Sequence, residues 1–304
     1  MMNTAVGLIG LGAMGSGMAG SLRRAGHDVH VFDIRPGVAA AFAEQGGHAC
    51  ATLAELAAAC DVIVSVVVNA AQTEEVLFGP GRDGTGCAAH MKQGSTFVMC
   101  STVDPQFSIG LESELQALGL HYVDAPISGG AARAASGEMT MMTAAKPEAY
   151  ARAGHVLDAM AAKVYRLGDR AGAGSKVKII NQLLAGVHIA AAAEAMALGL
   201  REGVNPNDLY DVITHSAGNS WMFENRMAHV LAGDYTPLSA VDIFVKDLGL
   251  VLDTARASKF PLPLSSTAHQ MFMQASTAGH AREDDSAVIK IFPGITLPEG
   301  AKKA

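Results

Sequence analysis

Over the first half of the chain, short apolar runs alternate with stretches of helical periodicity. Over the second half only the helical periodicity remains. AVGLIG (5–10) is an apolar run closed by glycine; a helical pattern follows from about Met14 to Ala25, then a second run, HDVHVFD (27–33). Strand, helix and strand within about 30 residues make a β-α-β unit, with parallel strands and a right-handed crossover. Helices predicted over 37–45 and 52–59 flank a weak strand at 47–50. DVIVSVVV (61–68) is apolar at nearly every position, as a strand covered on both faces must be. Further strands are predicted at STFVMC (95–100), LHYVDA (120–125), EMTMMT (138–143) and KVYRLG (163–168). This alternation predicts an α/β fold, a doubly wound Rossmann domain.

Near residue 170 the pattern changes. From Gly174 to about Arg201 runs one long helical stretch without proline, and further helices are predicted over 206–215, 219–232, 237–257 and 265–278. The expected organisation is a Rossmann domain over residues 1–170 and an all-helical domain over 171–304, joined by the long helix. The boundary lies at the glycines of DRAGAG (169–174), and the tail from Pro293 is expected to be loosely ordered.

Composition narrows the function classes. The 304 residues are half hydrophobic, enough for two cores, and aromatics are only 5%, so Ala, Val, Leu, Ile and Met must fill them. A net charge of -7 argues against a nucleic-acid footprint, which needs a basic face. Cys50, Cys60, Cys87 and Cys100 show no paired spacing, and the 11 histidines match no zinc motif, so no metal is expected and a reducing cytoplasm fits. The apolar start imitates a signal peptide, but its positive charges, Arg23 and Arg24, follow the apolar run, and its glycines interrupt any membrane span.

Candidate chemistry begins at Gly10-Leu11-Gly12-Ala13-Met14-Gly15. This G-x-G-x-x-G sits between a strand and a helix, the context the motif requires. Gly10 permits the turn, Gly12 lets backbone approach a pyrophosphate, and Gly15 allows close helix–strand packing. The helix N-terminus, entered through Ala13 and Met14, faces the phosphate charge. Asp33 closes the second strand 21 residues after Gly12, where a carboxylate accepts the ribose hydroxyls and repels a 2′-phosphate. NAD is therefore the expected cofactor, with Arg35 as the residue able to admit NADP.

With these features the chain resembles the β-hydroxyacid dehydrogenase family over essentially its whole length. GLIGLGAMGSGMA (7–19), CSTVDP (100–105), DAPISGG (124–130), GAGSKVKIINQ (172–182) and FVKDLGLVLD (244–253) are similar to family motifs in family order. The resemblance implies cofactor contacts from Val67, Val68, Thr102 and Lys246. It implies substrate contacts from Ser128, Gly129, Gly130, Gln182, Lys246 and Asp247, and catalysis by Lys178 with Asn181. One departure stands out: where the family usually has two asparagines, this chain has Asn181 and Gln182. Residues 65–78 and 181–198 most resemble the branch that oxidises L-threonate at C2. Alternatives are the reduction or oxidation of 3-hydroxyisobutyrate, tartronate semialdehyde or glycerate; an imine reductase; and a non-catalytic NAD-binding module.

The residues themselves support this chemistry. Lys178, Asn181, Gln182, Ala185 and His188 share one helix face, and Val177, Ile179, Ile180, Leu183, Leu184, Val187 and Ile189 around them predict a buried helix. A lysine there, beside a cationic nicotinamide, is expected to titrate nearer neutrality and to act as general acid/base. Gln182 and His188 could meet extra substrate hydroxyls. Ser128-Gly129-Gly130 suits a carboxylate, although a plain turn has the same composition. Trp221 and Phe223 are expected to be helix packing, and Glu283-Asp284-Asp285 a solvated loop or helix cap. The expected partners are a small carboxylic acid and further copies of the chain, as a homodimer or homotetramer, with neither nucleic acid nor membrane.

Overall fold

A computed structural model describes residues 4–300. The chain divides into two compact units, the first ending at Lys178 and the second beginning at Ile179.

The first unit opens with β1 (Ala5–Ile9), α1 (Gly15–Arg24), β2 (Asp28–Phe32), α2 (Val38–Ala43), the short β3 (His48–Ala49), α3 (Leu53–Ala59) and β4 (Val62–Ser65). After α4 (Ala70–Phe78) come β5 (Thr96–Met99), α5 (Pro105–Ala117) and β6 (His121–Asp124). These six strands form one parallel sheet in the order β3-β2-β1-β4-β5-β6. Because side chains alternate along a strand, Val6, Leu8, Val62, Val64, Val98 and Val123 fill one core, while Ile9, Ile63, Phe97, Met99 and Tyr122 fill the other. The chain order reverses between β1 and β4, the place where such sheets open a ligand crevice.

The last two predicted strands do not extend this sheet. β7 (Ile127–Ser128), α6 (Gly130–Ser136), β8 (Met139–Thr143), α7 (Pro147–Met160) and β9 (Ala161–Arg166) follow, and the strands form a separate three-stranded sheet. β7 pairs antiparallel with β8, and β8 parallel with β9. A bridge between Asp124 and Ala144 carries the chain from one sheet to the other. The chain runs on extended from β6 through Pro126 into β7 and reverses over α6, which makes the antiparallel pairing with β8 that hydrophobicity alone does not reveal.

α8 (Ala173–Arg201) begins in the first unit and continues into the second. The Asp124 carboxylate holds its N-terminus, accepting from the backbone N–H groups of Gly172 (2.8 Å) and Ser175 (3.0 Å) and from the Ser175 hydroxyl (2.7 Å). Those N–H groups have no partner within the helix, so a carboxylate from the sheet takes the place of a local cap. Gly174 is needed for the approach, because a Cβ there would lie 2.3 Å from the Met142 carbonyl oxygen. The helix is less buried than its composition predicts: Ile180 is 59% and Leu184 52% exposed, with Val177 on the same stripe.

In the second unit α9 (Pro206–Thr214), α10 (Trp221–Ala232), α11 (Val241–Ala257) and α12 (Pro263–Ala275) pack with the later turns of α8 around Ile189, Met196, Met227, Phe244, Leu248 and Phe272. Phe223 is buried and stacks with Tyr210, whereas Trp221, expected to pack, stands half-exposed. Asp284 and Asp285, read from sequence as a solvated loop or cap, are fully buried. Asp284 caps the short helix over 285–291 and also accepts from the Leu238 N–H. Asp285 forms a two-point pair with the Arg226 guanidinium. Ile295 and Leu297 of the expected loose tail rest against this core, and residues 301–304 lie outside the described residues.

Two predictions follow from these buried carboxylates. Asp124→Ala removes three accepted hydrogen bonds and should destabilise the protein by about 2 kcal/mol or more in urea denaturation. Burial pushes the Asp285 carboxyl up to about 6 against the pull of Arg226. The folded chain therefore holds a proton that an unfolded carboxyl, near 3.9, has released. This contribution is fully present below about pH 4 and is lost as pH rises through about 6. Urea midpoints measured across that window should show the loss in the native chain and its absence in Asp285→Asn.

Candidate active site

Four of the predicted cofactor segments follow successive C-terminal strand ends of the main sheet. The glycine loop follows β1, Asp33 follows β2, Val67 and Val68 follow β4, and Thr102 lies in the turn after β5. The three glycines of the loop have different work. Gly10 has φ +94°, and a Cβ there would stand 2.6 Å from the Val66 carbonyl oxygen. A Cβ on Gly15 would stand 1.8 Å from the Gly10 carbonyl oxygen. Both are demanded by the chain's own packing. Around Gly12, by contrast, a Cβ would meet nothing within 4 Å, so its smallness leaves room that the chain does not use. That space beside the start of α1 fits a dinucleotide pyrophosphate.

Asp33 ties this loop to β2. Its carboxylate accepts from the Leu11 N–H (2.7 Å) and the Arg35 N–H (2.8 Å), and the Arg35 guanidinium grips both oxygens, at 2.9 Å each. The Arg35 contact, more than any other, lowers the Asp33 carboxyl to about 2, so it is ionised at neutral pH. Arg35 also donates to the Leu11 carbonyl oxygen (3.0 Å). The residue read as a possible NADP contact is thus a clamp on the residue read as selecting NAD. At the β4 and β5 ends, Ser101 donates to the Val67 carbonyl oxygen (2.8 Å) and meets the Thr73 hydroxyl (3.1 Å). Sequence reading missed this pair, since nothing local links Ser101 of the CSTVDP segment to Thr73 on α4, 28 residues before it. Ser128 lies on β7 opposite Thr140, and Gly129 and Gly130 enter α6 at φ +139° and +76°, conformations that require glycine.

On α8, Lys178 is 7% exposed, and Asn181 and Gln182 lie one turn further on. Gln182 does not simply face outward: its Oε1 accepts from Asn181 Nδ2 (3.1 Å) and its Nε2 donates to Asp247 Oδ2 (2.6 Å). Asp247, on α11, is 1% exposed, and the Lys246 ammonium lies 2.5 Å from its other oxygen as an ion pair outside the hydrogen-bond direction. In the second unit, therefore, Asn181, Gln182, Asp247 and Lys246 form one connected polar chain. The longer arm of Gln182, the departure noted in the sequence, spans from Asn181 to α11. His188 is half-buried further along the helix.

Two family models match the chain. One describes the NAD binding domain of 6-phosphogluconate dehydrogenase and matches residues 5–168. The other describes the NAD-binding domain of NADP-dependent 3-hydroxyisobutyrate dehydrogenase and matches residues 172–292. The chain is 68% identical to an L-threonate dehydrogenase of Cupriavidus necator, over 99% of this chain and all of that one. It is 54% identical to an L-threonate dehydrogenase of Escherichia coli K12, over 98% and 97%. A crystal structure described as 3-hydroxyisobutyrate dehydrogenase from Salmonella typhimurium superposes with a TM-score of 0.90 at 55% identity, covering 95% of this chain and all of that one.

The unequal work of the glycines yields a paired test. Gly12→Ala should leave the melting temperature unchanged or slightly higher and weaken dinucleotide binding at least tenfold, as measured by titration calorimetry. Gly15→Ala should fail to fold. Equal thermal damage in both variants would mean that the room at Gly12 serves packing.

Proposed function

The chain belongs to the β-hydroxyacid dehydrogenase family and is a nicotinamide-dependent hydroxyacid dehydrogenase, and we propose that its substrate is L-threonate, oxidised at C2 to the 2-oxo acid with NAD. The observation that carries the substrate is near-complete coverage at 68% identity to a protein named for that activity.

A nicotinamide held at the cradle after β1 would supply the acceptor for the hydride of the carbinol carbon. The chain's own residues do the rest. Lys178, buried in α8, takes the hydroxyl proton as general base and returns it in the reverse direction. Asn181 holds the amine and the reacting oxygen in line, and is itself oriented through Gln182 and Asp247. Lys246 reaches toward cofactor and substrate. Ser128, Gly129 and Gly130 take the substrate carboxylate through backbone N–H groups and the serine hydroxyl. Gly10, Gly12, Ala13, Met14, Gly15, Val67, Val68 and Thr102 form the cofactor cradle.

NAD rather than NADP is our reading of Asp33, an ionised carboxylate at the ribose end that repels a 2′-phosphate. Arg35 moderates that preference by neutralising it. A homo-oligomer is supported by the exposed apolar stripe of Val177, Ile180 and Leu184, which a single chain leaves in water. Four buried free thiols support a cytoplasmic setting.

The test is the initial rate of reduced-cofactor formation with L-threonate beside D-threonate, D-glycerate, 3-hydroxyisobutyrate and L-serine, each with NAD and NADP. Turnover should be confined to L-threonate and be fastest with NAD. Lys178→Ala should lower kcat by roughly 100- to 10,000-fold with cofactor binding intact. Faster turnover of another acid would overturn the substrate and leave the role of Lys178 standing.

A further inference from the structure

The edge of the main sheet gathers three metal-binding side chains that the dehydrogenase chemistry does not use. Asp28 and His30 stand two residues apart on β2, hence on the same face, and the parallel register sets His48 of β3 directly beside His30. Both imidazoles turn to one carboxylate. His48 Nε2 lies 3.0 Å from Asp28 Oδ1, and His30 Nε2 lies 3.4 Å from Asp28 Oδ2. The rings stack with centroids 4.5 Å apart, and a ligand atom from each of the three residues lies within 4.8 Å of the others.

We propose that Asp28, His30 and His48 bind one divalent transition-metal cation of the zinc class, with water completing the shell. Bonds of 2.0–2.1 Å in a tetrahedron separate ligand atoms by about 3.3 Å, so the two ligand pairs already stand near the spacing that an ion imposes. Two imidazoles and a carboxylate suit zinc, cobalt, nickel and copper rather than calcium or magnesium. The second shell is also present. A metal on His30 Nε2 leaves Nδ1 as the N–H donor, and the Cys50 sulfur lies 3.9 Å from Nδ1. Access is open, with His48 59% and Asp28 37% exposed at the side chain.

The ion would join β3, an edge strand of only two residues, to β2. It would act on stability rather than on the reaction: Asp33, at the other end of β2, is five residues from Asp28, about 16 Å along a strand.

The test is titration of chelator-stripped protein with Co2+, following the visible absorption of the four-coordinate ion, then displacement by Zn2+. One equivalent should bind per chain and raise the melting temperature. His48→Ala and His30→Ala should each weaken binding at least tenfold, since even outer-shell losses have effects of 10- to 100-fold. Turnover in His48→Ala reports an intact fold, so loss of the ion there is not unfolding. Absence of saturable binding, or unchanged binding in both variants, would overturn the assignment. Unchanged binding would place the ion elsewhere, with the neighbouring rings of His27 and His155 as the next place to test.

Discussion

The buried carboxylate of Asp124 at the start of α8 is the constraint on which the rest of the site depends. It ends the last strand of the parallel sheet, bridges to the second sheet, and accepts the hydrogen bonds that α8 cannot satisfy within itself. The helix N-terminus carries partial positive charge, so an acid there is favoured electrostatically, while burial pushes its carboxyl above the ordinary range. The three donated hydrogen bonds oppose that push. The outcome is positional: the first turn of α8 is fixed to the sheet, and Lys178 follows within one further turn.

Buried acids recur at other fixed points of this chain. Asp247 holds Gln182, Asp284 caps the helix over 285–291 and gathers the Leu238 N–H, and Asp285 grips Arg226. Each is almost wholly removed from water, and each has donors that compensate the lost hydration. With few aromatics available, small side chains fill the interior, and these directional contacts add the specificity that packing of alanine and valine supplies poorly.

This explains which parts of the molecule are legible in the sequence. The β-α-β opening, the glycine loop and Asp33 rest on local periodicity and turn chemistry, so they are visible over about 30 residues. The fate of EMTMMT and KVYRLG is not, because pairing direction is decided by the reversal over α6. The acidic run 283–285 looks like a solvated loop until Arg226, 59 residues away, is placed against it. The exposure of Ile180 and Leu184 is equally hidden, since composition shows that a face is apolar but not what covers it. Asp28, His30 and His48 match no metal motif because their proximity comes from strand register.

α8 is one unbroken helix across the division at residue 178. Lys178 belongs to the first unit, Asn181 and Gln182 to the second, yet their mutual geometry is set by a rise of about 1.5 Å per residue and 3.6 residues per turn. On the proposed reading, the spacing of amine and amide is set by helix geometry. Asp124 fixes the first turn of that helix, and Asp247 holds Gln182 further along it.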